Sequence, residues 1–266
     1  GEVYREKQLV AVSPTSTSVK LSNFSPYFFR TAPSDTFAAE ALANYVIDEL
    51  QVEKAAIFYN SKSAYIQSLK EEFLIALSQR GGNLVTAIDL SAANFDAAES
   101  MKIAEENDAE VLMLAPNTPT LDRALEVVKA NSLKLPILGG DAVVQLKTRE
   151  ITGKDAVGMV LSSPWYSGSE SNSDFQTRAR SLWGEKVDWR AALAYDATQA
   201  LIAAMEKNST REGIQLALSE FGFAANGASG TVSFLPSGDR LADVELLQLV
   251  ASPNAKYGYE FVPLAK

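Results

Sequence analysis

The residues able to do chemistry are few, and most are small. After the apolar run Leu9–Val12 the chain reads "SPTSTS", so Pro14 is followed by four hydroxyl side chains: Thr15, Ser16, Thr17 and Ser18. Hydroxyls and exposed backbone N–H groups just past a strand end can hold a carboxylate. The same residue types also make turns and helix caps. A second candidate is Asp141, which follows "LPILGG". Two glycines there let backbone and a ligand come close, and a carboxylate in that place suits an ammonium group. Capping of the following "AVVQLK" is the alternative for Asp141. Tyr65 opens a helical pattern after "FYNSKS", where an aromatic is commonly buried. Asn117 follows the strand-like "LMLAP", and Trp165, Trp189 and Arg190 suit either a rim or a packed connection.

Other chemistries are excluded by what the chain lacks. It contains no Cys and no His. Zinc, copper, iron–sulfur and haem sites lose their usual ligands, leaving only oxygen-ligated Ca²⁺ or Mg²⁺ as options, and no cofactor or metal site is assigned. Ser-His-Asp and Cys-His catalysis is impossible, and no close pair of carboxylates stands at strand ends, so an enzyme is not expected. With 24 basic and 33 acidic residues the net charge is −9, which disfavours nucleic acid as a partner. "GGD" is not a phosphate loop, because no Lys follows at the required spacing, and "NST" at Asn208 matches the glycosylation pattern by chance. No stretch reaches the roughly 18 apolar residues that span a bilayer. Residue 1 is Gly and "GEVYREK" reads as the end of an amphipathic helix, so an earlier segment is expected.

The elements that must position these residues follow a regular pattern. "SDTFAAEALANYVIDEL" reads as a helix capped by Ser34 or Asp35, and "KAAIFYN" as a strand. "SAYIQSLKEEFLIALSQRGG" is a helix closed by Gly81–Gly82. "NLVTAIDL", "AEVLMLAP" and "LPILGGD" are strands, separated by the helices "NFDAAESMKIAEEN" and "TPTLDRALEVVKANS". In the last of these, Thr118 is the expected N-cap and Pro119 the first helical residue. Strands of this length alternating with helices signal βα units and a parallel sheet covered on both faces. The later part differs: "SNSDFQTRARSLWGEK", "DWRAALAYDATQALIAAMEKN" and "TREGIQLALSEFG" are helical, and the middle helix is apolar almost all round. Only "QLVAVSP" and "GTVSFLP" read as strands to cover it, which makes a marginal sheet.

Seven stretches, in order, resemble the type I periplasmic binding proteins, specifically the leucine/isoleucine/valine-binding branch of ABC-transporter solute receptors. They are "AVSPTSTSVKL", "YFFRTAPSDTFAAEALANYV", "AAIFYNSKSAYIQSLKEEF", "LPILGGDAV", "ITGKDAVGMVLSSP", "AYDATQAL" and "GTVSFLPSGDR". The resemblance implies an α/β fold of two doubly wound parallel-sheet lobes joined by a three-strand hinge, with lobe I incomplete. Family chains begin roughly 80–110 residues earlier, a length within ordinary domain sizes. The crossings fall near Pro33–Thr36, Pro164–Tyr166 and Ser237–Arg240. Lobe I then comprises 1–35 and 166–239, and lobe II 36–165 and 240–266.

By the same resemblance, Thr15, Ser16 and Thr17 match a carboxylate-holding loop and Asp141 the position that receives an α-ammonium. Tyr65 matches a tyrosine that closes over the ligand, Asn117 is a further contact, and Tyr195 and Asp196 stabilise lobe I. The implied function is extracytoplasmic capture of a small molecule, an amino acid, for an ABC transporter permease. A ligand touching both lobes would shift an open–closed population. The alternative on the same fold is a sensory ectodomain or a regulator of cell-wall synthesis. The implied location is periplasmic or extracellular, with anchoring through an earlier segment, and an incomplete lobe I invites homodimerisation.

Overall fold

The computed structural model describes residues 2–168, 173–184 and 187–264. The chain divides into two compact units: Gly1–Ser34 with Pro164–Asp243 (unit 1), and Asp35–Ser163 with Val244–Lys266 (unit 2). It therefore passes between units after Ser34, Ser163 and Asp243. The segment Ser237–Arg240, expected at the third passage, lies inside unit 1. There Leu235 N–H donates to Asp239 O at 2.8 Å and Phe234 bridges Arg240.

In chain order, unit 1 opens with α1 (Glu2–Glu6), β1 (Ala11–Ser13) and β2 (Phe28–Arg30). Unit 2 follows with α2 (Asp35–Asn44), β3 (Lys54–Tyr59), α3 (Ala64–Gln79), β4 (Asn83–Asp89), α4 (Ala97–Glu106) and β5 (Val111–Ala115). It continues through α5 (Leu121–Ala130), β6 (Ile137–Gly139), α6 (Leu146–Thr152) and β7 (Val160–Ser163). Unit 1 resumes with α7 (Ser173–Trp183), α8 (Trp189–Lys207), α9 (Arg211–Ser219), β8 (Ala225–Gly227) and β9 (Gly230–Val232). The chain closes in unit 2 with β10 (Glu245–Ala251) and β11 (Tyr259–Pro263). Of the expected helix over 171–186, Ser171, Asn172, Glu185 and Lys186 lie outside the described residues, as do Gly1 of the expected amphipathic start and Ser169 of "SSPWYSGS".

Among the described residues unit 2 holds one sheet of seven strands in the order β11-β10-β7-β6-β5-β3-β4. The five strands from β7 to β4 run parallel, while β10 and β11 add an antiparallel edge. β5 is buried at every residue and β3 at its central four, as expected of strands covered on both faces. Leu42, Val46, Ile66, Leu69, Phe73 and Leu77 pack against Ile57, Val111, Met113, Leu138 and Val160. Each large side chain so buried stabilises the unit by about 1.5–3 kcal/mol. Two helix starts and ends differ from the sequence reading. The helix expected over "SDTFAAEALANYVIDEL" changes to a π-helical turn at Tyr45–Glu49. Before α5, Asn117 and not Thr118 caps a 3-10 turn, because Asn117 and Thr120 exchange hydrogen bonds as a capping box.

Unit 1 is thinner. β1 pairs with β2 in parallel, and β8 with β9 as an antiparallel hairpin. "QLVAVSP" and "GTVSFLP" thus sit in separate sheets, each with a partner strand that is short and lacks an alternating pattern. α8 buries one face, through Trp189, Ala192, Leu193, Asp196, Ala197, Ala200 and Ala204. Its other face leaves Ile202 and Met205 exposed, contrary to burial all round. The core collects Phe29, Ala200, Ala204, Leu218, Phe223 and Val232.

Candidate functional site

In unit 2 the strand register determines which groups share the carboxyl edge of the sheet. Tyr59 stands opposite both Asp89 and Ala115, and Leu114 opposite Gly139. Asn60, Asp89, Asn117 and Asp141 therefore come to the same edge, where open α/β sheets hold ligands. Asp141 begins a 3-10 turn right after β6 and is only 8% exposed. The Tyr65 hydroxyl, one residue into α3, donates to Asp141 Oδ1. The structure thus brings together two predicted residues that lie 76 positions apart. Gly140 serves this contact in an unexpected way. A Cβ there would sit 2.7 Å from Leu69 Cδ2 and 3.5 Å from Tyr65 Oη, so the glycine makes room for α3.

Asn117 is half-buried, and its carbonyl Oδ1 is already engaged. It accepts from Asn60 Nδ2 at 2.7 Å and from Thr120 Oγ1 at 3.1 Å. Asp89 was not singled out from the sequence, yet Ser61 and Ser91 hold its carboxylate firmly at this edge. Ser61 Oγ donates to it at 2.6 Å, Ser91 Oγ at 2.7 Å and Ser91 N–H at 2.8 Å. Partial burial pushes the Asp89 carboxyl up, but the bonds from Ser61 and Ser91 outweigh this and bring it down to about 2. Asp89 is an ionised clamp joining the loops after β3 and β4.

In unit 1 the three hydroxyl candidates do not share one environment. Thr15 is exposed. Ser16 is tied locally, accepting from Ser13 Oγ at 2.8 Å, and Ser18 caps the following 3-10 turn. Thr17 is 6% exposed, and its Oγ1 has no hydrogen-bond partner among the described residues. A buried hydroxyl without a partner costs about 1–3 kcal/mol unless a ligand or water satisfies it.

The loop bearing these hydroxyls is held by Arg30, which the sequence reading missed. Its guanidinium is fully buried and pairs with Asp239 Oδ1 at 2.7 Å. It also donates to Ser18 O at 2.8 Å and Ser22 Oγ at 2.9 Å. Ser237 Oγ donates to the other oxygen of Asp239 at 2.8 Å. The turn carrying Asp239 meets β2 so closely that a Cβ on Gly238 would lie 2.3 Å from Phe28 O, and Gly238 has φ +81°. Only glycine tolerates both conditions. A second buried pair, Asp196 with Arg240 at 3.3 Å, ties α8 to the β8–β9 hairpin through Ala228, Ser229 and Thr231. Burial lowers the Arg240 pKa and the Asp196 charge opposes this. Trp165 and Trp189 are buried, Trp165 against the Phe175 edge, and Arg190 lies 4.3 Å over the Trp189 ring. Tyr195 packs on Phe175 at 4.8 Å. In the sequence, Arg30 shows itself only as a cation closing the apolar "YFF", with its partner Asp239 209 residues away.

Parallel βα units with polar groups gathered at strand carboxyl ends, in two units threaded three times by one chain, define a class that comparison makes definite. The periplasmic binding protein family matches residues 1–249, and the chain belongs to that family. The leucine-specific-binding protein of Salmonella typhimurium is 23% identical over 240 residues, covering 87% of this chain and 62% of that protein. The Leu/Ile/Val-binding protein of Escherichia coli K12 is 19% identical over 165 residues, covering 62% of this chain and 45% of that one. The chain thus spans less than two thirds of the length of these relatives. Among solved structures, a leucine binding protein from Thermotoga maritima superposes with a TM-score of 0.83 at 20% identity, covering 98% of this chain and 74% of that one. A solute binding protein of an ABC transporter from Rhodopseudomonas palustris HaA2, in complex with p-hydroxybenzoic acid, gives 0.82 at 19% identity, covering 98% and 73%.

Proposed function

We propose that this chain acts as an extracytoplasmic solute-binding protein that takes a free amino acid for an ABC transporter permease. In this reading Asp141, oriented by Tyr65, receives the ammonium group. Thr15, Ser16 and Thr17 receive the carboxylate, with the Thr17 hydroxyl gaining the partner it lacks among the described residues, and Asn117 adds a polar contact from the end of β5. The observation that carries the reading is the nearly buried Asp141 carboxylate at a strand end. An acid without a cationic group meets repulsion from this carboxylate, whereas the ammonium group of a zwitterion is attracted to it. This favours an amino acid over the aromatic acid bound by the Rhodopseudomonas relative. Self-association belongs to the same reading and is supported by the exposed Ile202, Met205, Leu216 and Phe221 of unit 1.

The test is calorimetry with leucine and with p-hydroxybenzoate. Leucine is expected to bind saturably, and Asp141→Asn to weaken it by about 10–100-fold, the loss of one charge-assisted contact. Binding of p-hydroxybenzoate with no heat from any amino acid would overturn the assignment. Light scattering across a concentration series tests self-association, and a monomer at all concentrations would remove it.

A further inference from the structure

At the opposite edge of the unit 2 sheet, where the chain enters β6 and β7, lies a cavity of 590 Å³. This volume falls within the range of small-molecule sites. Its accessible apolar lining is formed by the partly exposed Tyr45, Leu50 and Leu135 and the exposed Val157, over the buried Ile137, Leu138 and Met159. Lys129, Lys134 and Lys154 also line it, and none has an ion-pair partner among the described residues. The carboxylate in the lining is Asp155. In a chain of net charge −9, this is a local reversal of sign over an apolar surface.

The wall of the cavity includes Tyr45, the first residue of the π-helical turn. Such turns are rare and are frequent at functional sites. Burial and the charge of Glu49 push the Tyr45 phenol up, which keeps it a protonated donor.

We propose that this cavity is a second ligand site, for a monocarboxylate with an apolar body. The body would lie against Leu50, Leu135 and Val157, and the carboxylate would face the three ammonium groups. A bare inorganic anion would make no use of the apolar lining, and a neutral apolar solute would make none of the exposed cations. None of the residues involved takes part in the function proposed above, so the two ideas stand or fall separately.

The experiment uses the whole chain with labelled Ile, Leu and Val methyl groups, titrated with octanoate and followed by NMR. Saturable shifts are expected at Ile137, Leu138 and Val157, with a dissociation constant below about 1 mM. Octanamide, with the same body and no charge, is expected to bind about tenfold more weakly, as is octanoate to the double variant Lys129→Gln/Lys154→Gln. Melting temperature and leucine binding of the variant should be unchanged. The proposal is overturned if no lining methyl shifts, if octanamide binds as well, or if the double variant binds octanoate normally. It is likewise overturned if inorganic phosphate reproduces the shifts, or if they centre on methyls beside Asp141.

Discussion

The two units hold their candidate residues by different physical means. In unit 2 a broad, mostly parallel sheet does the positioning: register alone brings Asn60, Asp89, Asn117 and Asp141 to one edge. In unit 1, β1 and β2 pair over three residues, and nothing of that size fixes a loop by strand ends. There the buried cations Arg30 and Arg240 take over, each paired with a buried carboxylate and with carbonyl or hydroxyl oxygens. A thin sheet can carry a precise loop when buried charge supplies the missing constraint, at the cost of sensitivity to any change in the pair.

That contrast orders the expected effects of substitution. Arg240→Leu leaves the fully buried Asp196 without its cation and is expected to cost about 3–5 kcal/mol. Urea unfolding followed by hydrogen exchange should show α8 and the β8–β9 hairpin opening first, with β3 and β5 still protected. Early loss of protection in β5 would break the contrast. Arg30→Lys keeps the charge but cannot reach Asp239, Ser18 and Ser22 together, and should cost about 1–3 kcal/mol. Its sharper signature is faster amide exchange over residues 13–22, and slow exchange there would show that Arg30 does not hold the loop.

Asp89→Asn should have the smallest effect, about 1 kcal/mol once solvent screening of this half-exposed group is allowed for. The sign follows from the depressed pKa. The folded carboxyl titrates near 2 and the unfolded one near 3.8. Its contribution is therefore complete above the unfolded value and is lost as pH falls toward the folded one. Denaturant midpoints measured from pH 5 to pH 2 should fall more steeply for the wild type than for Asp89→Asn. Parallel curves would mean that Ser61 and Ser91 do not select the ionised form.

Much of unit 2 was legible because its signals are local. Continuous apolar runs of strand length, separated by amphipathic helices, located β3 to β6 and α2 to α5. The antiparallel edge strands β10 and β11 escaped notice, since "ELLQLVA" and "YEFVP" are only partly buried and owe their state to pairing. β2 escaped for the same reason: three residues become a strand only beside Ala11–Ser13. Candidate residues followed the same rule. Asp141 and the hydroxyl run could be named from their place after a strand. Asp89 could not, because its unusual acidity comes from serines on two loops.

By itself, then, the sequence determined the βα rhythm, the absence of His and Cys chemistry, and the hydroxyl and acidic residues at strand ends. Tertiary structure alone decided that Tyr65 binds Asp141, that the Thr17 hydroxyl is buried without a partner among the described residues while Ser16 and Ser18 are engaged, and that Arg30 governs their loop. The reason is distance along the chain. Arg30 and Asp239 are 209 residues apart, and whether a charge is buried or a hydroxyl satisfied depends on neighbours that only folding brings near.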